Sequence, residues 1–71
     1  MLKNRLKALR ARDGYNQTTL AKKINVSRQT ISLIERGDYA PSVTIALALA
    51  RLFDVTVEDI FQLEGEDLDE E

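Results

Sequence analysis

Residues 17–37 read QTTLAKKINVSRQTISLIERG, and the pattern in this stretch decides the fold. Leu20, Ala21 and Ile24 recur at helical spacing; Ile31 and Ile34 do so again after a break. Asn16 offers a side-chain oxygen to cap the first of these short helices. Asn25 stands where that helix must stop, and after glycine asparagine best tolerates a positive φ. Ser27 caps the second helix, and Gly37 closes it. The joining segment Ile24-Asn25-Val26-Ser27 is a tight corner, with Ala21 small where the helices approach and Val26 placed to plug the bend.

Working outward, Leu2, Leu6 and Leu9 repeat at helical spacing, with Lys3, Arg5, Lys7, Arg10 and Arg12 on the remaining positions. They predict a first helix stopped at Asp13-Gly14. On the other side, Tyr39-Ala40-Pro41-Ser42 is a turn, because Pro41 blocks a continuous helix. Ser42 caps a fourth helix carrying Val43, Ile45, Ala46, Leu47, Leu49, Ala50, Leu52 and Phe53; apolar on most faces, it should be the most buried element. Thr56 and Asp59 have the spacing of a capping box, with Asp replacing Glu or Gln, and open a short fifth helix through Ile60 and Phe61. No run reads as a strand. The expectation is an all-α, five-helix domain over residues 1–63, followed by an acidic tail, 64–71, too poor in apolar residues to pack.

A chain of 71 residues has room for one core. It contains no cysteine and no histidine, so disulfides and the usual zinc and iron ligand sets are missing and no metal or cofactor is expected. There is no Gly-rich phosphate loop, and the carboxylates cluster in the tail, so an enzyme is not expected. The N-terminus has no secretory apolar core. The longest nearly uninterrupted apolar stretch, Val43 to Ala50, falls far short of the roughly 20 residues that span a bilayer. The expected compartment is the cytoplasm, without a membrane partner.

The net charge of −2 conceals a division. Residues 1–36 carry nine basic side chains against Asp13 and Glu35, a net +7; residues 37–71 carry Arg51 against ten acids, a net −9. A basic half of this size points to a polyanion partner. On the third helix, steps of 100° place Ile31 and Ile34 on one side and Gln29, Ser32, Leu33 and Arg36 on the other, with Arg28 in the first turn. The corner has the length found in a helix-turn-helix, and the outward face suits base edges in a major groove. Glutamine pairs bidentately with adenine and arginine with guanine; Leu33 is placed for a thymine methyl.

Through Leu6, Leu9, Arg10, Gln17, Leu20, Ala21, Val26, Ser27, Arg28, Gln29, Thr30, Ile31, Ile34, Glu35, Gly37 and Pro41-Ser42, the sequence resembles the phage-repressor and Cro-type helix-turn-helix regulators, the xenobiotic-response-element family. The resemblance spans roughly residues 2–63 and implies a five-helix lambda-repressor-like domain whose second and third helices dock on double-stranded DNA, usually as a homodimer on a two-fold-symmetric operator. It implies that Gln17, with Asn16 beside it, holds a phosphate. It aligns Arg28, Gln29, Ser32 and Leu33 with base-facing positions, and the hydroxyls of Ser27 and Thr30 and the cation of Arg36 complete the candidate DNA surface. Arg10 and Glu35 match an internal salt bridge between helices one and three. The corner residue of the family is usually Gly, where this chain has Asn25. For the dimer, Val57, Phe61 and Leu63 are the expected contacts, being hard to bury inside so small a monomer. The competing expectation is a protein-interaction module or antitoxin-like regulator that binds a protein partner through its acidic C-terminal half.

Overall fold

Helix ends in this chain are written by one repeated device. In the computed structural model, which describes residues 2–64, four helices are followed by a residue in the left-handed conformation: Gly14 at φ 76°, Asn25 at 62°, Gly37 at 80° and Asp54 at 59°. Each time, the next amide reaches back to a carbonyl in the last turn: Tyr15 to Arg10, Val26 to Ala21, Asp38 to Leu33 and Val55 to Ala50, at 2.9–3.0 Å. This satisfies carbonyls that a helix end leaves open and turns the chain sharply.

Between these stops lie α1 (Leu6–Arg12), α2 (Gln17–Lys23), α3 (Arg28–Glu35), α4 (Val43–Phe53) and a single turn, α5 (Val57–Ile60). Asn16, Ser27, Ser42 and Thr56 each accept a hydrogen bond from the backbone N–H three residues on. The Thr56–Asp59 capping box is complete in both directions, Thr56 N–H donating back to Asp59 at 3.0 Å.

Two expectations are overturned. The chain contains a two-stranded antiparallel sheet of β1 (Leu2–Asn4) and β2 (Phe61–Leu63), in which Leu2 faces Leu63, Lys3 faces Gln62 and Asn4 faces Phe61. The first helix therefore starts at Leu6 rather than at Leu2, and the fifth ends at Ile60 rather than including Phe61. At the N-terminal end the reason is Asn4: its Oδ1 accepts from Leu6 N–H at 3.1 Å and its Nδ2 donates to Ile34 O at 2.8 Å, fastening the strand to α3. A short polar side chain that bonds its own backbone two residues on competes with helix propagation.

The core joins Leu6, Leu9, Leu20, Ala21, Ile31, Ile34, Ala46, Leu49, Ala50, Phe53, Ile60 and Phe61. Phe61 is 9% exposed and Val57 is half-buried against the core, so the monomer does cover two residues expected to need a partner subunit; Leu63 remains 53% exposed. Ile24 and Val26 pack under the α2–α3 corner. No helix among the described residues is long and apolar enough to cross a membrane. Nearly all of the expected acidic tail, from Gly65 onward, lies outside the described residues.

Candidate nucleic-acid interface

α3 buries one edge in the core. Ile31 and Ile34 are 0% and 1% exposed, whereas Arg28 and Gln29, at the start of the helix, are exposed to solvent. Ser32 and Leu33 are half-buried on the flanks. Ser27 sits at the cap, its Oγ accepting from Thr30 N–H at 3.1 Å and lying 2.9 Å from Thr30 Oγ1. Both hydroxyls are thus engaged in holding the helix start, which leaves them fewer free donors for an outside ligand.

The Gln17 side chain at the start of α2 reaches Arg28 at the start of α3. Asn16 Oδ1 accepts from Thr19 N–H at 2.8 Å, and Gln17 opens the helix. Gln17 is tied at both ends of its amide: Nε2 donates to Glu35 Oε1 at 3.1 Å, and Oε1 accepts from Arg28 Nη1 at 3.1 Å. The candidate residues that the structure brings together are therefore Gln17 and Arg28, with Asn16 and Gln29 their chain neighbours. Arg36 is not among them: it caps the far end of α3, about 12 Å along the axis from Arg28, and pairs with Asp38 at 3.3 Å.

Glu35 is also the acceptor for Arg10, through Nε at 2.7 Å and Nη2 at 3.2 Å, with side chains only 16% and 7% exposed. The hydrogen bond and the charge of Glu35 raise the Arg10 guanidinium above its ordinary value, against the opposing effect of burial. Arg10 Nη1 donates in addition to Tyr15 O at 3.1 Å, so one guanidinium joins α1, the turn before α2 and the end of α3. This bidentate pair ties α1 to the end of α3, the helix that carries Arg28 and Gln29.

Within the +7 of the first half the two acids are already engaged, Glu35 with Arg10 and Asp13 with Arg12 at 2.8 Å, and Asp38 from the second half pairs with Arg36. Lys23 Nζ lies 5.2 Å from the centre of the Tyr15 ring. Two residues that patterning does not single out also bear on the face. Thr18 presents an exposed hydroxyl in the first turn of α2, next to Gln17; the usable signal is its position at a helix start, where backbone N–H groups lack helical partners. Asn4 holds the end of α3 through Ile34 O, and its signal is a short polar residue two places before the first buried leucine, Leu6.

Comparison with known proteins agrees with this geometry. The helix-turn-helix family profile matches residues 6–60. An uncharacterized HTH-type transcriptional regulator of Bacillus subtilis, YgzD, is 48% identical over 92% of this chain and 98% of its own length. An uncharacterized HTH-type regulator of Methanocaldococcus jannaschii is 48% identical over 93% of this chain and all of its own length. Among solved structures, the restriction-modification controller protein C.AhdI from Aeromonas hydrophila superposes with a TM-score of 0.70 at 31% identity, covering 76% of this chain and 82% of that one. The SinR/SinI protein complex gives a TM-score of 0.74 at 31% identity, covering 90% of this chain and 63% of the matched one. The five helices and their α2–α3 corner form a lambda-repressor-like DNA-binding domain, and the chain belongs to the Cro/C1-type helix-turn-helix family of transcriptional regulators.

Proposed function

We propose that the protein is a repressor that binds a two-fold-symmetric DNA operator as a homodimer, with α3 in the major groove. The observation that carries this reading is the pairing of two exposed, multidentate side chains, Arg28 and Gln29, with a helix whose opposite edge is fully buried. Arg28 reads guanine and Gln29 reads adenine, each good bidentate contact discriminating by about 1–3 kcal/mol. Ser32 and Leu33 touch the flanking bases or the thymine methyl, and Asn16 and Gln17 set the register on the phosphate backbone. Ser27 and Thr30 serve mainly the helix start, and Arg36, paired with Asp38 at the far end of α3, lies at the edge of the site.

One α3 reads too few bases to select a site in a genome, so two copies are required. Solvent-facing apolar side chains supply the candidate contacts: Leu63 at 53% exposure, Tyr39 at 43%, and Val43 and Leu47 on one face of α4.

Selection from a randomised duplex library at near-physiological salt tests the reading. The expected product is an inverted repeat with half-site centres about 10 bp apart. A single enriched half-site would remove the dimer while keeping recognition. A folded protein that enriches nothing would overturn the reading and favour a protein-binding role, for which the SinR/SinI complex is the structural precedent.

A further inference from the structure

We infer that the acidic segment 65–71 docks on the outward face of α3 in its own chain and competes there with DNA; the inference takes the DNA face proposed above as the contested surface. That function draws on the basic half of the chain and gives the net −9 of residues 37–71 no role. The segment reads Gly-Glu-Asp-Leu-Asp-Glu-Glu, five carboxylates and no cation. Opposite it in charge, Arg28 and Arg36 are exposed at the two ends of α3, and Lys3 is exposed on β1.

The exit point of the chain decides what the segment can reach. Leu63, the last residue of β2, pairs with Leu2. Leu2 in turn lies against the end of α3, its carbonyl oxygen 3.8 Å from the place a Cβ on Gly37 would take. Leu2 and Lys3 line one cleft together with Glu35, Arg36 and Gly37. The segment therefore begins one strand away from Arg36, about 5 Å in the pairing direction. Arg36 has Asp38 at 3.3 Å, an exposed pair of the weak kind that a second carboxylate can replace. Arg28 stands about 12 Å further along α3, and the seven residues 65–71 extend to at most roughly 23–25 Å. Both arginines fall within that span. Among the described residues Arg28 meets the Gln17 amide and no carboxylate. Tethering makes the encounter intramolecular, at an effective concentration in the millimolar range. Such docking lowers the affinity for operator and for unrelated duplex by one common factor, and base preference is untouched.

The chain contains no cysteine, so Glu70→Cys gives a single attachment point for a nitroxide spin label. In the free protein at low salt the label is expected to broaden the backbone amide resonances of residues 28–36. Operator duplex should restore them, as should about 1 M salt, where the Debye length is near 3 Å. A full-length variant with Glu66→Gln, Asp67→Asn, Asp69→Asn, Glu70→Gln and Glu71→Gln should bind operator and unrelated duplex about three- to tenfold more tightly at low salt. That gain should vanish at high salt. Broadening confined to residues 2–4 and 61–64 would overturn the inference, because the segment would not reach α3. Tighter binding by the neutralised variant without broadening of α3 would overturn it as well, since repulsion of DNA by net charge accounts for that result. Broadening without a gain in affinity would mean contact without competition, and the inference fails. Mixing spin-labelled protein with isotope-enriched, unlabelled protein separates the copies, and broadening of α3 that arises only between copies refutes docking within one chain. The label is read without DNA; if neither protein binds any duplex, the function proposed above falls on its own evidence, and the competition falls with it.

Discussion

In α3 and α4 a serine caps the start, Ser27 receiving Thr30 N–H at 3.1 Å and Ser42 receiving Ile45 N–H at 3.3 Å, and a left-handed residue, Gly37 or Asp54, follows the end. Between these matching ends the two helices diverge. α3 fully buries Ile31 and Ile34 and leaves Arg28 and Gln29 in solvent. α4 buries Ala46, Leu49, Ala50 and Phe53, and its exposed positions include Val43 at 74% and Leu47 at 56%. Boundary chemistry thus says where a helix begins and stops, and only the composition of the outward face says what the helix is for. α4 puts most of its surface into the core, whereas α3 packs chiefly against α2 and α1 and leaves Arg28 and Gln29 in solvent.

The sharpest way to break this division is to damage each helix and ask what is lost. Leu49→Ala in α4 should lower unfolding free energy by about 2–5 kcal/mol, read by urea denaturation, with the base preferences of the remaining folded protein unchanged. Ser27→Ala and Ser42→Ala should each cost about 1 kcal/mol of stability. Only the former should also weaken operator binding, because it loosens the helix start that carries Arg28. Arg28→Ala should move stability by no more than about 0.5 kcal/mol while removing preference at one base pair; a large loss of stability would show that the exposed face is structural after all.

The smallest effect concerns pH, and it sharpens the contrast because it belongs to α5 rather than to the DNA face. Backbone and side-chain hydrogen bonds from Thr56 hold the Asp59 carboxyl below its usual value. Arg12 does the same to Asp13, chiefly through its hydrogen bond. A carboxyl depressed on folding stabilises fully above its unfolded value, about 3.9, and that stability is lost as the pH falls through the folded value. Asp59→Asn should therefore reduce the drop in thermal midpoint between neutral pH and about pH 2–3, leaving the Asp13 contribution in place.

The legible parts of the fold were those written locally. Asn16, Ser27, Ser42 and the Thr56–Asp59 box announce helix starts within three residues of themselves, and Asn25 announces a left-handed corner by its type alone. Asp54, at φ 59°, makes the same turn after α4 but is less readily told from an ordinary acidic surface residue. The sheet was hidden for another reason. Three-residue strands carry no measurable period, and Leu2, four places before Leu6, imitates a helical repeat. At the candidate site, residue types on α3 could be read from spacing. That Gln17 meets both Glu35 and Arg28 could not, since those contacts join distant positions through the α2–α3 angle.

The pairing of β1 with β2 has a consequence for the order in which the domain assembles. The α2–α3 corner is built from neighbours in the chain, whereas Leu2 can find Leu63 only after nearly everything between them has been made. Loop-closure entropy makes such a contact late and costly unless the intervening helices have already drawn its two sides together. During synthesis the recognition corner can therefore form while Leu2–Asn4 still waits for its partner strand. Amide exchange by residues 2–4 and 61–63 would then report the last step of folding and the first of unfolding.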